Sequence, residues 1–138
     1  MFLRLGKYLV ETPDPVNEEE RVKANAMIES FVIHLRNLIA FLYSEQVETK
    51  DVIGANFFRD PVVWYQRRPP ISRLLKKARE RSHKEVVHLT TDRIADKVPE
   101  KDWPIPALTN EIKRLMRLFV NLASTDRLDP SIKELLNN

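Results

Sequence analysis

An all-α fold, a single-domain bundle of four to five helices, is what this chain of 138 residues predicts. Apolar residues recur at spacings of three and four along three long stretches, the signature of amphipathic helices. Glycine occurs only 2 times, which leaves few positions for the positive φ that tight hairpins require. No Asn-Gly or Asp-Gly turn and no long alternating run marks a strand pair. The length favours one domain, residues 1–138, around one core.

Residues 1–16 read as a lead-in. Phe2, Leu3, Leu5, Tyr8, Leu9 and Val10 suit a short helix that Pro13 and Pro15 end. Asn17, followed three residues later by Glu20, resembles a capping box, and Glu18, Glu19 and Glu20 suit a helix start. The first long helix is predicted over Glu18 to Tyr43. Its stripe is Ala24, Met27, Ile28, Phe31, Leu35, Leu38, Ile39 and Leu42, with Ile33 and Ala40 on the opposite side. That pattern predicts a helix covered on both faces, central in a bundle or at a dimer seam.

Residues 44–70 are less regular, with a short helical turn within 51–58 and breaks at Asp60-Pro61 and Pro69-Pro70. Trp64 and Tyr65, beside Arg67 and Arg68, either stack on bases or anchor the segment to the core, the second reading being preferred. A second long helix is predicted from Ile71 to Leu89 or Arg93, with Ile71, Leu75, Ala78, Ser82, Val86 and Leu89 as its buried stripe. After a connection over 94–106, a third runs from Ala107 to Ala123, and Asp129-Pro130-Ser131 introduces a short helix over Ile132 to Leu136.

Cysteine is absent, which excludes disulfides, thiolate zinc sites and a cysteine nucleophile. A reducing, cytoplasmic setting is expected. No uninterrupted apolar run approaches ~20 residues, so no membrane span or membrane partner is expected. The net charge of +3 is uneven: residues 1–60 carry 7 basic and 10 acidic side chains, and residues 61–138 carry 16 and 10. Residues 67–84 hold eight Arg or Lys against Glu80 alone. Such a cluster is either a solvated helix face or a positive field that attracts phosphate.

Within the second long helix, Arg81 and His88 lie seven residues apart. Seven residues advance a helix by ~700°, close to two turns, and by ~10.5 Å. Both side chains therefore share one face, ~90° from the buried stripe, with Lys77 and Lys84 beside them and Arg73 slightly further round. Metal-free RNA cleavage needs a base for the ribose 2′-OH, an acid for the leaving oxygen and a cation for the phosphate. Histidine suits proton transfer, and arginine grips two phosphate oxygens. One histidine does not easily fill both proton roles, whereas a symmetric dimer supplies two. The alternative is a half-buried histidine capping a neighbour and an arginine in a surface ion pair with Glu85. His34 and Asn37, on the first helix, read as hydrogen-bonded between helices or as reaching towards the second long helix, with Arg36 pointing elsewhere. No convincing metal spacing, Gly-rich phosphate loop, nucleophile elbow or dinucleotide fingerprint is present, so no cofactor is expected.

Residues 71–93, with Arg81, six intervening residues and His88, and ending in His88-Leu89-Thr90, resemble the signature helix of the HEPN superfamily. Those domains are all-α and typically dimeric, and carry an Arg, four to six residues, then a His. Ser82 stands where the family often has Asn, Asp or His, and Val87 where it often has Ala. The resemblance implies a HEPN-like bundle and a homodimer. It also implies a metal-independent endoribonuclease or RNA-binding protein, of the kind found in toxin–antitoxin and defence systems, with RNA and an antitoxin or other protein as partners. By position, Arg81 becomes the phosphate-binding arginine and His88 the catalytic histidine. Helical placement adds Arg73, Lys77 and Lys84 as nucleic-acid contacts and Arg36 and Asn37 as supporting candidates, while Asp92, one turn on from His88, either orients the imidazole or caps the helix end. A non-catalytic dimerisation or interaction module of the same fold is the alternative.

Overall fold

The computed structural model describes residues 1–44, 51–83 and 103–137. All of its regular structure is helical: α1 (Phe2–Glu11), α2 (Glu18–Tyr43), α3 (Pro61–Arg67), α4 (Arg73–Ser82), α5 (Ile105–Leu122) and α6 (Ser131–Asn137), with short 3-10 turns at Gly54–Phe57 and Thr125–Arg127. An all-α bundle is therefore the fold.

Helix α2 is the hub. It packs against α1, α4, α5 and the first 3-10 turn, while α5 also holds α1 and α6. Phe31, Val32, Leu35, Ile39 and Leu42 of α2 meet Leu75 of α4 and Leu108, Ile112, Leu115 and Phe119 of α5 in one core. At its centre the Phe119 ring lies 5.2–5.9 Å from those of Phe41, Phe57, Phe58 and Trp64. The edge-to-face angles, 69–83°, bring positive ring edges onto negative faces. Trp64 is 1% exposed and its indole donates to the Leu42 carbonyl at 2.9 Å. It is an anchor, as preferred from sequence, and its ring is not open to a base.

Both ends of α2 fall where the sequence puts them. Asn17 Oδ1 accepts from the Glu20 N–H at 2.9 Å. The reciprocal bond differs from the expected box: Glu20 Oε2 accepts from the N–H of Val16, not of Asn17. At the other end the Leu42 carbonyl, left over by the helix, accepts from both Trp64 and Arg68. The last turn of α2 has no basic residue of its own, so Arg68 supplies the cation that the negative helix end favours.

The break at Asp60-Pro61 is present, and the helix after it is not among those the sequence predicts: Pro61 is the first residue of α3, where its missing N–H has no helical partner to lose, and Asp60 caps that helix by accepting from Val62. Pro106 likewise sits in the first turn of α5, which begins at Ile105 and not at Ala107. On the side of α2 away from the core, Ile33 is 46% exposed and Ala40 is exposed within one chain. By length and composition alone, α2 is also long and apolar enough to cross a membrane, with an 18-residue window of mean hydropathy 1.3. Glu29 and Arg36 interrupt its apolar run, and the core helix of a bundle meets the same measure.

Neither glycine is used for its φ, since no described residue has positive φ. Gly6 is buried where α1 crosses α5, and a Cβ there would overlap Thr109 Oγ1 and sit 3.1 Å from its Cγ2. A Cβ on Gly54 would meet the Phe41 carbonyl oxygen at 3.1 Å. Scarce glycine here marks close approach.

Candidate functional site

Ser72 starts α4 by accepting from the Leu75 N–H at 3.1 Å. The helix then turns Leu75, Ala78 and Ser82 into the core, as the periodicity predicts. Arg73 and Lys77 are exposed and Arg81 is half-buried. Spaced by four, they climb one flank of α4 with a drift of ~40° per step. The Arg81 guanidinium carbon lies 4.2 Å from the centroid of the Trp103 ring, just before α5. Such a cation–π contact holds the cation against the ring face, and the N–H groups not turned to the ring are the ones that recognise phosphate. From sequence Trp103 is only part of the 94–106 connection, and its contact with Arg81 is a tertiary one that no local pattern marks.

Lys84, His88 and Asp92, with Glu85, Val86 and Leu89, lie outside the described residues. Of the candidate pair, Arg81 is therefore among the described residues and His88 is not.

Arg36 and Asn37 are not gathered around Arg81. Arg36 is half-buried on α2 and, with Arg79, Glu80 and His83, lines a groove of about 500 Å³ between the C-terminal half of α2 and the end of α4. Arg79 and His83 are each two residues from Arg81, ~160° round the helix, which puts this groove on the opposite flank. Asn37 is exposed and does not line it. The inter-helical hydrogen bonds expected of His34 and Asn37 are not formed to any described residue.

The groove floor is Ile39, Ala40 and Tyr43, with Ser44 at one end. Burial is the main cause that raises the Tyr43 phenol above its ordinary pKa; Glu111 adds to this, and Arg68 and Arg114 oppose it. Arg68 lies 5.5 Å from the Tyr43 ring centroid and 5.0 Å from that of Tyr65. Its part-buried bond to Leu42 makes it a brace of the fold. Among the described residues no three His, Asp or Glu side chains cluster to hold a metal ion.

Comparison with known proteins finds no matching family model, no matching curated sequence and no matching solved structure.

Proposed function

We propose that this protein acts on RNA through the Arg73–Lys77–Arg81 flank of α4, as a HEPN-like, metal-independent endoribonuclease that works as a homodimer. The observation that carries the reading is the flank itself: two exposed cations and a half-buried third, its guanidinium held against the Trp103 ring. Exposed cations spaced by one helical turn suit successive phosphates of a strand. The nuclease step rests on the sequence pair Arg81 and His88. In that step the ribose 2′-oxygen attacks phosphorus and the bond to the 5′-oxygen breaks, leaving a 2′,3′-cyclic phosphate and a 5′-hydroxyl. One His88 takes the 2′-OH proton, the second copy's His88 gives one to the leaving oxygen, and Arg81 stabilises the phosphorane oxygens.

Cleavage of a labelled RNA in EDTA tests this. His88→Ala is expected to abolish cleavage with helix content unchanged, and Arg81→Ala to slow it by about 10²–10³. Full cleavage by purified His88→Ala removes the nuclease. A toxin–antitoxin or other defence role, with an antitoxin as partner, is the setting the resemblance suggests.

A second reading, a non-catalytic interaction module, is favoured by the same Arg81–Trp103 contact, which ties α4 to the start of α5 whatever the flank binds. Trp103→Leu separates the two. It lowers thermal stability under both readings, and lowers cleavage at a temperature where the variant stays folded only under the first.

A further inference from the structure

We infer that the groove between α2 and α4 is a second binding site, built for the free carboxylate end of a peptide whose last side chain is apolar. Arg36 and Arg79 line it, and neither side chain has an ion pair or hydrogen bond to any described residue. Arg36 is half-buried, so an anion reaching it meets a guanidinium already partly stripped of water, where charge-assisted hydrogen bonds are strong. The floor of Ile39, Ala40 and the Tyr43 ring is apolar and takes a side chain rather than a bare ion. Glu80, also without an ion pair to any described residue, lines it too. A polyphosphate strand would be repelled by that carboxylate, whereas a peptide end offers it a backbone N–H one bond away from its own carboxylate-bearing carbon. Two cations, one acid and an apolar floor therefore match a ligand with a carboxylate, an N–H donor and an aliphatic side chain. About 500 Å³ is in the range of small-ligand pockets. The site lies on the flank of α4 opposite Arg81 and does not depend on the ribonuclease reading.

The test titrates the full chain with acetyl-Ala-Ala-Leu bearing a free C-terminal carboxylate, against the same peptide as its C-terminal amide, following backbone amide shifts. The free acid is expected to shift residues of the α2 and α4 lining, and the amide to bind at least about tenfold more weakly. Arg36→Gln and Arg79→Gln should each weaken the acid about tenfold, and Glu80→Gln should weaken it less. Both arginines lie off the core, so retained helix content keeps these variants interpretable. Equal binding of acid and amide, inorganic phosphate displacing the peptide at matched concentration, or no shift at ~10 mM peptide each overturns the proposal. RNA cleavage is the independent control. Arg79→Gln that loses peptide binding while cleaving as before separates this site from the Arg81 flank.

Discussion

At Gly6 two effects of a single methyl group oppose each other. Alanine in place of a helical glycine ordinarily gains about 1 kcal/mol, but here the new Cβ overlaps Thr109 Oγ1, and overpacking a tight crossing costs about 1–3 kcal/mol. The Thr109 hydroxyl is itself buried without a hydrogen-bond partner among the described residues, which already carries a desolvation cost. Gly6→Ala alone should therefore lower the denaturation midpoint. Gly6→Ala with Thr109→Ala should recover it and rise above the wild type, because the double variant removes the clash and the orphan hydroxyl and keeps the gain in helix propensity. A double variant no more stable than Gly6→Ala places the strain elsewhere. Tyr43 makes a pH-dependent counterpart. Its folded pKa stands above the ordinary 10.0, mainly through burial. The neutral phenol is thus favoured in the native state, and its contribution is fully present below pH 10. It is lost as pH rises through the folded pKa, since the unfolded chain ionises first. Of the 3 tyrosines, one should titrate late in phenolate absorbance, and Tyr43→Phe should remove that late component.

Among the helices, α2 shows how a strong local signal and weak local burial coexist. Its cap is well made, yet residues 18–23 are all exposed. Asn17→Ala should cost about 1 kcal/mol, but only locally. With no core contact there to transmit the loss, the first turns open by themselves. Hydrogen exchange at the amides of Glu20 to Ala24 should quicken about fivefold while the global melting temperature barely moves; a global drop with unchanged local exchange contradicts this. Such local signals are why α2 was legible in sequence at both ends, and why the Leu75–Ala78–Ser82 stripe of α4 was. Prolines were half legible: at the first turn of α3 and of α5 the missing N–H removes no bond, so Pro61 and Pro106 open helices where sequence marked only a break and a connection. The candidate site divided in the same way. One helical flank carrying Arg73, Lys77 and Arg81 follows from periodicity alone. The stack of Arg81 on Trp103 and the meeting of Arg36 with Arg79 and His83 follow from how helices pack, which no local pattern encodes.

Over the whole molecule the charge is divided: the first 60 residues carry an acidic excess and the rest a basic one. Two distinct physical pictures of RNA binding follow from that division. If the overall field attracts the strand, removing any cation weakens binding alike. If the α4 flank contacts phosphates, only its own cations release counterions, and each contact contributes about 0.7 to the slope of log affinity against log salt for a single strand. Arg4 is exposed on α1, in the acidic half of the sequence, so Arg4→Gln changes the net charge by the same single unit as Arg73→Gln or Lys77→Gln. Binding of a single-stranded RNA should therefore be measured across salt for all three, with His88→Ala as background so that cleavage does not intrude. Arg73→Gln and Lys77→Gln are each expected to lower the slope by about 0.7 and Arg4→Gln to leave it unchanged. Equal, small losses of affinity in all three variants, with one common slope, would mean that the cations of α4 act only as part of the total charge. The flank would then be a solvated helix face, and the Arg81–Trp103 stack a packing contact between α4 and α5.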